Sequence, residues 1–360
     1  MQYGLFDHID LAGDRPLAQQ YDERLQLVAA ADAAGFYAYH LAEHHATPLN
    51  TVPAPGVFLA AVARATTRIR MGPMVYLLPL YSPLRMIEEI AILDHLSHGR
   101  AEIGVGRGVS PYELGFHKVD AEKSREIFID AYDCLIAGLT HDRLTYHGPY
   151  YSYDDVPVIV RPLQQPYPAM WYGSSNTVGA AWAGERGLHF ASNGATERAK
   201  ENIAAYVAAL TARGSGAEIP HAEFPGGAAI GVSRHIVVAD TDADARRIAE
   251  PAHEHIHHNQ MFLRREALER SDMKSRPGYV DSPSDGNLER SLAEGSSIVG
   301  SPETVRAAIE QQIEVLGINY LICYFMFGTM TLADALRSME LFTTEVRPKV
   351  RVNGAAAASR

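Results

Sequence analysis

A closed barrel of eight parallel strands, each followed by a helix, is the fold class this sequence predicts. Short apolar runs alternate with amphipathic helical stretches eight times, 360 residues suit one such barrel, and composition does not break along the chain. The alternation implies parallel pairing with right-handed crossovers. An open doubly wound sheet would satisfy that too, and the count of eight favours closure.

The elements follow in order. Tyr3–Phe6 is a short apolar strand, and the Ala-rich stretch Gln19–Ala34 is a helix stopped by Gly35. Phe36–Leu41 is strand two and Ala54–Ala65 its helix. Ile69–Leu78 is one long apolar run, strand three, ended by Pro79; Pro83 opens a helix to Leu96 that Gly99 closes. Ala101–Val105 is strand four, followed by an amphipathic helix over Asp120–Leu139. Residues 140–165, rich in Tyr, His, Gly and Pro, form an excursion with one short strand. Strand five is Ala169–Tyr172 with helix Val178–Arg186, and strand six is Leu188–Ala191 with a helix over 195–212. Strand seven is Ala228–Val238 with a helix over 241–258, strand eight is Tyr320–Phe325, and Leu332–Val346 is the last helix. The polar segment 271–297 is expected as a mobile insertion in a single domain of residues 1–350, and 351–360 as a disordered tail.

Composition narrows the function classes. A net charge of −11 argues against nucleic acid and anionic membranes as partners. Two cysteines, Cys134 and Cys323, make no disulfide framework, which points to a reducing compartment. The acidic N-terminus does not read as a signal peptide, and no apolar run approaches the ~18 residues of a membrane span. A cytoplasmic enzyme is the expectation.

Barrel sites lie where the strands end. Asp7-His8 follows strand one, Glu43-His44-His45 strand two, Gly104-Val105-Gly106-Arg107-Gly108 strand four, Gly173-Ser174-Ser175-Asn176-Thr177 strand five, and Ser192-Asn193 strand six. Arg107, Arg125 and the helix start at Ser175, Asn176 and Thr177 suit a phosphate, although a plain N-cap turn reads the same locally. Histidines at a strand end suit acid–base work near neutral pH. Gly104-x-Gly106-x-Gly108 lacks the final glycine spacing of a dinucleotide fingerprint. His253-Glu254-His255-Ile256-His257 fits the H-E-x-x-H zinc pattern, but its helix is placed at the far end of strand seven and no third ligand follows. A solvated, His-rich helix end is the better reading, and no metal is expected.

The stretch from Met71 to Arg125, with Gly72, Leu78-Pro79, Arg85, Glu88, Leu93-Asp94, Gly99-Arg100, Arg107-Gly108 and Ser124-Arg125, resembles the bacterial-luciferase-like flavin monooxygenases. Glu43-His44-His45, Val299–Glu303 and Ala335–Phe342 extend the likeness over nearly the whole chain. The resemblance implies a luciferase-like barrel that oxygenates a small aldehyde, ketone or similar substrate with FMN, supplied as FMNH2 by a separate NAD(P)H:flavin reductase, and O2, through a flavin peroxide. It makes His44 the acid/base with His45 in support, and Arg107, Arg125 and Ser175–Thr177 the holders of the phosphate. It places Met74-Val75 where such proteins carry a non-proline cis peptide behind the flavin ring, and it implies a homodimer. Where the luciferase pattern has cysteine this chain has Gly106, which argues against light emission and is expected to leave room over the ring. A deazaflavin-dependent hydride-transfer enzyme of the same superfamily and a non-catalytic flavin-binding protein remain as alternatives.

Overall fold

Each apolar run becomes a strand in the computed structural model, which describes residues 1–269 and 286–351. The strands are β1 (Gln2–Asp7), β2 (Ala38–Leu41), β3 (Arg70–Pro73), β4 (Tyr76–Leu77), β5 (Ile103–Gly106), β6 (Arg143–His147), β7 (Ser152–Pro157), β8 (Met170–Ser174), β9 (His189–Ser192), β10 (Ile230–Val238), β11 (Ser297–Gly300) and β12 (Tyr320–Tyr324). The main helices are α1 (Leu17–Ala33), α2 (Pro55–Ala65), α3 (Pro83–Leu96), α4 (Pro111–Phe116), α5 (Ser124–Thr140), α6 (Thr177–Arg186), α7 (Thr196–Arg213) and α8 (Asp242–Gln260). They continue with α9 (Phe262–Glu269), α10 (Leu288–Ala293), α11 (Pro302–Leu316) and α12 (Leu332–Leu341).

Strand order is β3-β2-β1-β12-β10-β9-β8-β5-β4, all parallel. The two ends of that path are separated only by the cis peptide Met74-Val75. Taken as one interrupted strand, β3 and β4 close the ring, and eight strands form the barrel. Strand faces bury Leu5, Tyr39, Ile103, Val232 and Leu321, and helix faces such as Val28, Leu59, Ile90 and Ile309 join them in one core.

Several expectations need correcting. Strand three is not a continuous run over 69–78: it breaks at Met74-Val75, and a 3₁₀ turn takes Leu78–Leu80. The 140–165 excursion holds two strands, an antiparallel β6–β7 hairpin. Helices α4 and α11 and strand β11, which pairs with the C-terminal half of β10, were not expected. Of the 271–297 insertion, residues 271–285 lie outside the described residues, and the rest is ordered as α10 and the start of β11. The last helix gives way to a π-helical turn at Phe342–Val346. Of the tail, residues 352–360 lie outside the described residues.

Candidate active site

The C-terminal ends of the strands surround a cavity of about 790 Å³. Its lining includes His44, Met74, Val75, Gly106, Arg107, Arg125, Ser175 and Asn176, so eight of the ten residues singled out in the sequence meet there. His45 and Thr177 do not line it.

The β2 tip is held by carboxylates. Glu43, buried, accepts the Leu77 N–H at 3.0 Å, the Tyr81 hydroxyl at 2.7 Å and His45 Nε2 at 2.8 Å. His45 is thereby fixed behind the cavity wall, its ring 4.5 Å from that of His117. Off the cavity lining, it braces the loop that carries His44, the supporting place expected of it. Glu113, also buried, accepts the His45 backbone N–H at 2.8 Å and faces His44 Nδ1 at 3.2 Å. With Glu113 accepting, His44 donates from Nδ1, and its Nε2 has no described partner. Glu113 stands on α4, where Ser110 caps the helix by accepting the Glu113 N–H at 3.3 Å and Pro111 fills the first turn. The Ser-Pro-x-Glu spacing is a helix-start signal, and it was the legible clue to this residue.

Another part of the lining suits an anion. Arg107 and Arg125 are exposed and have no ion-pair or hydrogen-bond partner among the described residues. Burial raises the Tyr172 hydroxyl above its ordinary pKa and both guanidiniums oppose it, so both stand within electrostatic reach of that hydroxyl. Next to them α6 begins. Asn176 is its N-cap and spends its side chain on the Gly179 N–H at 2.9 Å, the plain capping role. The N–H groups of Thr177 and Val178 meet no described acceptor, and the Ser175 side chain is exposed. Two unpaired guanidiniums, two free helix N–H groups and a hydroxyl fit a phosphate dianion. The same lining holds the side chains of Met74, Val75, Leu77, Leu114 and Phe128, apolar surface suited to a planar ring system.

Two further expectations change. A Cβ at position 106 would lie 2.3 Å from Val75 Cγ2, so the space glycine leaves is already filled by valine and is not open room. The His-rich end of α8 is not a solvated far end either: His253, Ile256, His257 and Gln260 line the cavity. Among the described residues no group of three or more His, Cys, Asp or Glu is placed to hold a metal. Sequence reasoning also left unassigned His8, Arg198, His235 and Tyr324, which line the same cavity from β1, α7, β10 and β12.

The model of the luciferase-like monooxygenases matches residues 1–320. The chain is 35% identical to protein y4wF of Sinorhizobium fredii, covering 97% of each. It is 27% identical to limonene 1,2-monooxygenase of Rhodococcus erythropolis, over 90% of this chain and 80% of that one. In structure it resembles the oxygenating constituent of 3,6-diketocamphane monooxygenase from Pseudomonas putida, a type II Baeyer-Villiger monooxygenase in complex with FMN. That likeness has a TM-score of 0.78 at 23% identity and covers 98% of this chain and 99% of the other. No helix among the described residues is long and apolar enough to cross a membrane.

Proposed function

Because this chain belongs to the luciferase-like monooxygenase family, we propose that it is the oxygenase of a two-component system. It takes FMNH2 from a separate NAD(P)H:flavin reductase and oxygenates a small aldehyde, ketone or similar substrate with O2. The observation that carries this reading is the pairing of an anion corner at Arg107, Arg125 and the α6 start with a carboxylate-oriented imidazole, His44, on one cavity.

Bound there, reduced flavin would supply the two electrons with which O2 gives one oxygen atom to the substrate and the other to water. The chain's residues do the rest. Arg107, Arg125, Ser175 and the free N–H groups of α6 hold the phosphate and so set the position of the ring. Met74, Val75 and Leu77 supply an apolar surface that keeps water from the reacting edge. His44, its Nδ1–H held by Glu113, presents Nε2 to take or return a proton beside the substrate. Such a positioned base contributes about 10²–10⁴-fold to rate. A homodimer is part of the same proposal, by family likeness.

The test is substrate-stimulated O2 uptake with a supplied flavin reductase and FMN, across a panel of aldehydes and ketones. His44→Ala is expected to lose about 10²–10⁴-fold in turnover while keeping its affinity for FMN. Uptake that no substrate stimulates, or hydride transfer with a deazaflavin in place of FMN, would overturn the reading.

A further inference from the structure

The turn after β1 is built at a cost that packing alone does not explain. Ile9, fully buried, has φ +49°, a left-handed conformation that a β-branched residue rarely adopts. Its surroundings hold it there. Its N–H donates to Asp7 Oδ1 at 2.8 Å, and its carbonyl accepts from the Thr51 N–H at 3.0 Å and the Thr51 hydroxyl at 2.7 Å. Asp7 in turn meets Arg24 Nε at 2.9 Å, and Asp10 accepts the Gly328 N–H and the Asn259 amide at 3.2 Å. Strain that is over-determined in this way clusters where a side chain must be aimed. The side chain aimed here is His8.

His8 lies on the cavity wall, its ring centroid 5.4 Å from that of His44, 5.2 Å from Phe6 and 5.5 Å from Tyr324. The Tyr324 hydroxyl and His8 Nδ1 are 3.3 Å apart. Burial keeps that phenol protonated, so its O–H is available to donate to Nδ1, and in that arrangement the imidazole proton sits on Nε2. No described residue bonds His8 Nε2, and the atom is not sealed from solvent. The titratable groups facing the ring are His44 from the β2 tip, His235 from β10 and Tyr324 from β12, with the Asp7–Arg24 pair and Asp10 behind the turn. Burial first, then His44 and His235, push the His8 pKa well below its ordinary value. A protonated His8 would place a positive charge against the rings of His44 and His235 in a buried setting. What the cavity receives is therefore an uncharged N–H donor.

We propose that His8 Nε2–H donates a hydrogen bond to the carbonyl oxygen of the substrate, working beside the neighbouring His44 on the same wall of the cavity. This rests on the carbonyl-oxygenating reading above and deepens it: the site is built for a substrate oxygen that gains negative character as its carbon is attacked. A preorganised donor of this kind helps only where charge develops, and no bond to His8 is made or broken. Simple hydrocarbons lacking that oxygen would leave the donor unsatisfied and bind poorly.

Side-chain ¹⁵N correlation spectra of the full-length protein between pH 5 and 9, with His8 identified through His8→Gln, test the donor directly. The expected result is a neutral ring protonated on Nε2 throughout. A ring that titrates in that range, or one protonated on Nδ1, overturns the proposal. A second arm records the infrared C=O stretch of ¹³C-labelled cyclic and open-chain ketones added to the FMN-loaded protein. The stretch should fall to lower frequency on binding to wild type and to His8→Gln, whose amide keeps a donor near the same place. It should not fall in His8→Leu, which should also lose about a hundredfold in kcat/KM. No ketone binding at all, or equal behaviour of the Leu and Gln variants, refutes the assignment. Quenching of FMN fluorescence in the same samples reports on the flavin reading separately, so failure of the donor and failure of the flavin site are told apart.

Discussion

Where the barrel strands begin, Glu102 sits fully buried and every oxygen is used. It accepts the Tyr37 hydroxyl at 2.5 Å and the Trp171 indole N–H at 2.5 Å, pairs with Arg70, and has His221 Nδ1 at 3.4 Å. Where the strands end, Arg107 and Arg125 have no described partner, two helix N–H groups are left over, and the imidazoles of His8 and His44 each keep a nitrogen without a described partner. Both ends carry histidine, arginine and carboxylate, so residue type does not tell a plug from a site. What differs is satisfaction. A buried charge with all partners in place holds the structure together, whereas donors left open on a cavity wait for a ligand.

The largest effect that would sharpen this contrast is at the closed end. Glu102→Ala removes the carboxylate that Arg70, Tyr37 and Trp171 share, leaving Tyr37 only His221 and Arg70 only Gln164, and should cost about 3–5 kcal/mol of stability, measured by urea unfolding. FMN affinity of the folded fraction should stay within about twofold, since the site is built from other strand ends. A variant that loses flavin but not stability would break the division between the two ends.

The acid side of the stability curve comes next. Burial pushes His40 and His189, which flank the Glu102 network, down to about 4 from an ordinary 6.5. Both are neutral when folded and protonate more readily when unfolded. Stability is therefore full above pH 6.5 and falls as pH drops toward 4, by up to ~1.4 kcal/mol per pH unit for each group. Glu102 acts below that. Burial raises its carboxyl, but Arg70, His221 and His189 together pull it under its ordinary 4.5, so its contribution is present above that value and is lost as pH falls further. Unfolding midpoints at pH 7, 5.5 and 4.5 read the histidine limb, and His40→Gln should flatten it. A wild-type profile flat over that range contradicts the account.

The smallest effect concerns Gly106. Gly106→Cys should cost roughly 1–3 kcal/mol by overpacking against Val75, and Val75→Ala should relieve most of it. Additive destabilisation in the double variant would show that the two positions do not share one space.

The barrel was legible because its strands are short apolar runs set between amphipathic helices, and that alternation survives without knowledge of contacts. Arg107 and His44 were legible because they stand at strand ends, where a barrel gathers them, and Arg125 through the family likeness of the stretch that ends in it. Other features depend on closure. Nothing local in Ile69–Leu78 shows that the run breaks to join both ends of the sheet. Nor does the periodicity of α8 say that its histidine end comes over the mouth. Glu113 had a capping signal that was overlooked. His8 stood at a strand end too, but its role was not legible, because its aim comes from the buried Asp7–Arg24 pair and the left-handed Ile9, which only the fold brings together.

The most direct test is an equilibrium titration comparing FMN with riboflavin, which lacks the phosphate. Two charge-assisted bonds at about 1.5–3 kcal/mol each predict that FMN binds at least ~100-fold more tightly, and that Arg107→Ala with Arg125→Ala removes most of that advantage. Equal affinity for the two flavins, or an advantage that survives loss of both arginines, would contradict the assignment of the open end as the flavin site.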